Sequence, residues 1–472
     1  MLFFILLHIY FVTFIDKPEK SAPQLSPRAV EQRAKWGIQT DDKDYPVSPM
    51  YLNEVRKSGG VIHHWSRWFN GATVEMDEAT AEKVRSLKFV KDIEMTRNDD
   101  SDFSFFSQRK RARRAEYGTQ AYTDNQLKLY NLLPLHEAGY EGQGILMTIC
   151  DGGFYNAQSM SSFRQKELEL GHFDFTDDDA YGYTFYGKEG AHGTECLSTI
   201  SGIQKDYYGA ATKAQYYLMR SEENDTESPK EMDNLVAALE KSDSLGVNIF
   251  SVSLGYAAFD NADWSLSKSD LDGKTTRASI AATIAARKGM LVCVAAGNEG
   301  DEEWGTISSP ADADSVLTVG AVGTDSIIGK FSSYGPSADG RIKPEVCAVG
   351  VKTTLINPKM EIVQNNGTSF ATPLIAGMAA ALWSALPDEN AMQIRERIIR
   401  SANRYNNPDT KNYQYGYGIP DAWAAYQMGI AEGIDETTAG GNPTKTQKII
   451  HNGRILIIRN GSVYNLAGQK IK

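Results

Sequence analysis

Gly367-Thr368-Ser369-Phe370-Ala371-Thr372-Pro373 follows two asparagines, Asn365 and Asn366, and leads into a small-residue run over 375–385. The asparagines and Gly367 read as a turn, and the run after Pro373 reads as a helix. A serine at such a junction has its hydroxyl on a rigid support. Its backbone N–H lies among the unpaired donors of a helix N-terminus, where negative charge is favoured. Pro373, early in the helix, costs no needed hydrogen bond. This placement suits a nucleophile whose attack creates an oxyanion. Taken alone it equally suits an ordinary N-capping serine, so the surrounding chain has to decide.

Upstream, apolar strand-like runs alternate with helical patterns. Strands are expected over 144–150, 214–219, 247–254, 291–296 and 316–322, and helices over 231–244 and 276–288. Strands alternating with helices of this length mean βαβ units and a parallel sheet covered on both faces. The expectation is an α/β fold, a three-layer, doubly wound, mostly parallel sheet. In such sheets ligands bind outside the carboxyl ends of the strands. Asp151, Ser253 and Asn298 all stand at those ends.

A nucleophilic serine needs a base, and histidine is the first candidate. Of the seven histidines, His8 lies in an apolar N-terminus, His63 and His64 in an N-terminal segment of different character, and His451 in the tail. His136 sits in an apolar run and reads as packing, and His172 precedes an aromatic-acidic loop. His192, in Gly190-Ala191-His192-Gly193-Thr194, leads into an apolar helix over 196–203 and can project from its N-terminus. Asp151 closes a hydrophobic strand ahead of Gly152 and Gly153, where a carboxylate is costly unless partnered. In Ala295-Ala296-Gly297-Asn298-Glu299-Gly300, Asn298 can aim its side-chain N–H at an oxyanion beside the Ser369 N–H. Each motif alone has an ordinary capping or turn reading. Their joint order, Asp, His, Asn, Ser, at element ends is what carries weight.

These stretches resemble the subtilisin-like serine proteases, the subtilases, whose triad also runs Asp, His, Ser. The matching segments include Ile149-Cys150-Asp151-Gly152-Gly153, His192-Gly193-Thr194, Ser251-Val252-Ser253-Leu254-Gly255, Phe331-Ser332-Ser333-Tyr334-Gly335-Pro336, Asp339-Gly340-Arg341-Ile342-Lys343-Pro344-Glu345 and residues 367–373. The resemblance implies catalytic roles for Asp151, His192 and Ser369, and an oxyanion role for Asn298. It implies that Ser253, Leu254 and Gly255 form the edge on which a peptide lies by β-augmentation. It also implies a serine endopeptidase acting on protein or peptide substrates. The sequence departs from the family pattern in Gly-Gly after the aspartate and in Cys150, neither of which removes a catalytic atom. Glu299 has two readings, a group at the mouth of the specificity pocket or a solvent-facing turn residue. A catalytically silent binding scaffold and a lipase-type hydrolase are the rivals. The second fits poorly, since Ala371 stands where Gly-x-Ser-x-Gly needs its second glycine and the histidine precedes the serine.

The chain has 472 residues with 41% hydrophobic and 23% charged content, an ordinary globular composition with room for two or three units. Its net charge of -11 argues against nucleic acid as a partner. Residues 1–16 read as a signal-peptide-like segment, apolar and too short to span a bilayer, and no other long apolar run exists, so the expectation is an exported protein, secreted or at the cell surface or periplasm, with no transmembrane segment in the mature form. Residues 17–114 read as a pro-segment with a helix over 27–36 and a β-α-β unit (68–76, 78–87, 90–95). It ends in Arg109-Lys110-Arg111-Ala112-Arg113-Arg114, five basic residues in six, which reads either as a solvated charged linker or as an exposed processing site. The resemblance implies that this pro-segment is an intramolecular inhibitor, and the basic run with the β-α-β unit raises the expectation of autoprocessing. Residues 115–432 are the expected catalytic domain, and 433–472 a linker and short β tail with turns at Asn452-Gly453 and Asn460-Gly461. The tail resembles short C-terminal sorting signals of some Gram-negative exported proteins. No cofactor is required and no metal site is expected in the catalytic centre. Calcium is the one ion the resemblance brings in; Asp177-Asp178-Asp179 read either as ligands for it or, the favoured reading, as a solvated acidic loop. The four cysteines lie in apolar contexts without CxxC and are expected to be free, buried thiols.

Overall fold

Seven parallel strands make the central sheet of the computed structural model, in the order Val346–Val349, Leu317–Val322, Leu291–Ala295, Ile249–Val252, Leu146–Asp151, Gln215–Arg220, Glu169–Asp174. The structure describes residues 6–98, 123–163, 168–176, 183–223, 226–407, 409, 412–438, 446–451, 454–459, 462–464 and 470–471. The strands that the hydrophobic runs predict are all present, with boundaries shifted by a few residues. Most are buried at every position, as expected for a parallel sheet covered on both sides. The edge strand Glu169–Asp174 is half-buried and carries no such signal. After Leu146–Asp151 the chain passes to one side of that strand, and at Ile249–Val252 it returns to the other. The switch point therefore lies beside Asp151, which places the ligand crevice there.

Side-chain alternation divides the two faces. Phe250, Val252, Val292 and Val294 join one core cluster with residues of the helices Lys230–Leu245 and Arg277–Arg287. Their neighbours along each strand point the other way, towards the Thr368–Ala385 helix, which packs on four strands and on the helix Ala191–Ser201. Among the described residues Thr368–Ala385 is long and apolar enough to cross a membrane, yet it is buried in the core along nearly its whole length.

The N-terminal unit is a four-stranded antiparallel sheet in the order Val61–Ser66, Gly71–Met76, His8–Phe14, Val90–Asn98, with the helices Pro27–Trp36, Pro49–Ser58 and Glu78–Arg85. The expected β-α-β unit is present, but His8–Phe14 is threaded between its two strands. This corrects the reading of 1–16 as a leader. Residues 8–14 pair on both sides and are buried at six of seven positions, so the sheet has no centre without them. A short apolar run rich in β-branched and aromatic residues serves equally as a leader core or an interior strand, and composition does not separate the two.

This unit grips the helices Lys230–Leu245 and Arg277–Arg287 that cover one face of the parallel sheet. Trp68 is buried in the cluster that those helices share. The Glu240 carboxylate accepts from Arg67 N at 3.0 Å and Trp68 N at 3.1 Å, and also from the Ser66 hydroxyl. Arg33 and Arg67 both pair with Asp243, at 2.7 and 2.8 Å. Ser26 and Arg28 donate to the Leu245 and Gly246 carbonyls at the end of the same helix. Lys288 pairs with Asp44 at 2.7 Å, and Arg97 with Glu223 at 2.7 Å.

Residues 426–472 form a separate unit. It carries a four-stranded antiparallel sheet, Thr446–His451, Arg454–Arg459, Ser462–Tyr464 and Lys470–Ile471, among its described residues. The helix Ala422–Thr438 runs past residue 433, where a linker was expected, because no glycine or proline pair interrupts the chain before Gly440. The two Asn-Gly turns, the basic run 109–114 and Asp177–Asp179 lie outside the described residues.

Candidate active site

Asp151 ends its strand fully buried, and Gly152 N donates to its Oδ1 at 2.8 Å. Gly153 turns the chain away with φ of 131°. The next requirement is a close approach. His192 is the second residue of Ala191–Ser201, and Gly193 beside it lies so close to the aspartate that an added Cβ would sit 2.1 Å from the Gly153 carbonyl and 2.9 Å from Asp151 Cβ. Glycine at 193 is thus what lets the histidine helix reach the aspartate strand. The result is His192 Nδ1 at 2.9 and 3.0 Å from the two Asp151 oxygens. Burial works against a charged ring here, but the adjacent carboxylate outweighs it and holds the imidazole well above its ordinary value. The His192 side chain stays 39% exposed, open on the side away from Asp151.

Ser369 is the second residue of Thr368–Ala385, against an expected helix start at 375. Its Oγ donates to the Ser253 carbonyl at 3.3 Å, and its own carbonyl accepts from Ser253 Oγ at 2.8 Å. The expected peptide-binding segment is therefore bound to the serine. Ser253 and Leu254 are buried and Gly255 is exposed. His192 and the serine segment meet through Phe370, whose ring centroid lies 5.4 Å from the imidazole. They meet also through Cys196, whose Sγ is 3.9 Å from both ring nitrogens and 3.3 Å from the Ser369 carbonyl.

Asn298 is exposed on its loop. Its Oδ1 accepts from Thr368 N at 2.9 Å and Thr368 Oγ1 at 3.1 Å. Those donors fix the amide orientation and leave Nδ2 as its donor group. Glu299 is half-buried in its turn rather than solvent-facing. Its Oε2 accepts from Asn298 N at 2.8 Å and from Ser333 Oγ at 3.0 Å, which braces the Asn298 turn. Burial raises its carboxyl. The roles of Thr368, Ser333 and Cys196 carried no signal in the sequence, because each depends on which distant segment arrives opposite.

His136 packs as expected, with Nε2 at 3.0 Å from the Ala210 carbonyl, and His172 stacks edge-on against Phe185. All four cysteines are free and buried. Asp151, His192 and Cys196 have ligand atoms close enough to hold a metal, as do Glu222, Glu227 and Glu231.

A family model described as the subtilase family matches residues 142–418, and a model of the Bacteroidota peptidase S8 propeptide domain matches residues 9–115. The second match takes in most of the strand His8–Phe14. Subtilisin NAT of Bacillus subtilis subsp. natto is 25% identical over 379 residues, which cover 79% of this chain and 85% of that protein. Subtilisin DY of Bacillus licheniformis is 28% identical over 295 residues, 61% of this chain and 93% of its own. Serine protease AprX of Bacillus subtilis is 32% identical over 149 residues, 27% of this chain and 34% of its own. With the fold, the propeptide domain and the matched catalytic region taken together, the chain belongs to the subtilase family and is a serine-type endopeptidase made as a precursor.

Proposed function

We propose that Asp151, His192 and Ser369 form the catalytic triad of this endopeptidase and that Asn298 completes its oxyanion hole. The observation that carries the proposal is His192 Nδ1 held by both Asp151 oxygens at 2.9 and 3.0 Å. Nδ1 is occupied, so Nε2 is the nitrogen available as base. In the reaction His192 Nε2 takes the Ser369 hydroxyl proton as Oγ bonds to the peptide carbonyl carbon. The developing oxyanion is held by Asn298 Nδ2 and the Ser369 N–H, each such donor being worth about 10²–10³ in turnover. The C–N bond then breaks, and the imidazolium gives its proton to the leaving amine. Water, deprotonated by His192, hydrolyses the acyl-enzyme. Ser253, Leu254 and Gly255 hold the substrate as an added strand.

We further assign residues 8–114 to the pro-segment and 115–432 to the catalytic domain. The pro-segment acts as an intramolecular inhibitor removed by self-cleavage. Export, to the outside or the periplasm, rests on the family alone, since residues 8–14 belong to the pro-segment sheet. A fluorophosphonate probe should label the processed protein and fail on Ser369→Ala. An unlabelled processed protein would favour the silent-scaffold reading. If Ser369→Ala matured to the same N-terminus in a host without other suitable proteases, self-cleavage would be ruled out.

A further inference from the structure

The helix that carries Ser369 opens with a main-chain defect. A helical carbonyl accepts from the N–H four residues on. Four residues after Ser369 stands Pro373, inside the helix beyond its first turn and without an N–H, so the proline expected to cost no needed hydrogen bond does remove one. The Ser369 carbonyl therefore lacks its regular partner four residues on, in a residue only 7% exposed. Leaving a buried carbonyl unmet is unfavourable, so a donor has to reach it. Two side chains from two other elements meet it. Ser253 Oγ donates at 2.8 Å from the end of the Ile249–Val252 strand, and Cys196 Sγ donates at 3.3 Å from the Ala191–Ser201 helix.

Cys196 stands one turn after His192 on that helix, with its sulfur 3.9 Å from both imidazole nitrogens. One thiol thus touches the residue read as base and the main chain of the residue read as nucleophile. Burial lifts the thiol up to about 11, with His192 pulling the other way, so at neutral pH it carries its proton and can donate. The bond fixes the tilt of the peptide unit between Ser369 and Phe370. That tilt, from the first turn of the helix, helps set where the Ser369 hydroxyl and N–H point.

We propose that Cys196 is a positioning residue: its thiol clamps the Ser369 carbonyl that Pro373 leaves open, and so holds the nucleophile's main chain against the histidine helix. The proposal rests on the triad reading above. Cys196 takes no covalent part and touches no substrate. A buried cysteine here is not merely a small apolar filler, because a methyl or isopropyl group of similar volume would leave the carbonyl with one donor fewer.

Steady-state kinetics on a peptide substrate test it, using processed enzyme whose serine has first been shown to label with a fluorophosphonate. Failure of the parent to label sinks the triad reading itself, and labelling lets the clamp be judged separately. Cys196→Ala should lower kcat by about 3–10-fold with KM unchanged, the loss of one buried hydrogen bond expressed in turnover. Cys196→Ser should restore most of it, since a hydroxyl at that position donates to the same carbonyl. Pro373→Ala gives residue 373 an N–H, and in that background the Cys196→Ala effect should shrink to less than about twofold. Unchanged kcat and pH profile in Cys196→Ala overturn the clamp. So does a loss that serine fails to rescue, which would mark a packing role. If Pro373→Ala does not fold, the alanine and serine pair alone decides.

Discussion

His192 Nδ1 sits within 3.0 Å of both carboxylate oxygens of Asp151, and that aspartate is 1% exposed. A buried carboxylate with an imidazole beside it stabilises the imidazolium. On the proposed triad, the group that must be neutral to act as base is thus biased towards its charged form.

The acid limb of kcat/KM should accordingly lie above about pH 6.5, the ordinary histidine value. The sign for stability is the opposite. A raised imidazole contributes stability that is complete below its unfolded value and is lost as pH rises through its folded value. A pH–rate profile checks the first statement, and thermal unfolding of Ser369→Ala against pH checks the second. Asp151→Asn should move the limb down and cut kcat by about 10⁴-fold through the wrong tautomer.

Gly193→Ala should cost both stability and activity. Its methyl would meet the Gly153 carbonyl at 2.1 Å and Asp151 Cβ at 2.9 Å, so the histidine helix must move away from its partner. Thermal unfolding in the Ser369→Ala background should show a loss of about 1–3 kcal/mol. Turnover should fall by at least about 10²-fold, the scale of a 1 Å misplacement. A variant with native kcat would show that the helix has slack to spare.

Glu240 should dominate inhibition by the pro-segment. Its carboxylate is the acceptor for Ser66 Oγ, Arg67 N and Trp68 N at once. Glu240→Ala in the catalytic domain strands these donors at about 1–3 kcal/mol each. The inhibition constant of added pro-segment should rise by at least about 100-fold, measured by titration of peptidase activity.

Acid should loosen the same contact through His64. Its Nε2 lies 2.7 Å from the Phe175 carbonyl and 3.1 Å from Asn234 Oδ1, inside the interface. Burial, with Lys230 and His63 nearby, holds the ring below its ordinary value. A depressed histidine contributes binding that is present above its free value and lost as pH falls below about 6.5. Inhibition constants measured from pH 8 to about pH 5 should weaken over that range. His64→Gln should flatten the dependence, and an unaltered slope would assign it to other groups.

The sequence determined the class of fold, because uninterrupted apolar runs alternating with long helical periods permit only a parallel sheet covered on both faces. It also nominated Asp151, His192, Asn298 and Ser369, since each stands in glycine-rich punctuation at an element end, which is local information. It misread residues 8–14, because an interior strand and a leader core share one composition. What lies opposite what was decided by the tertiary structure alone. Gly193 against Asp151, Thr368 against Asn298, and Ser253 with Cys196 at the Ser369 carbonyl all join segments far apart in the chain. Close packing between such segments depends on how the whole sheet twists and stacks. No local pattern encodes it.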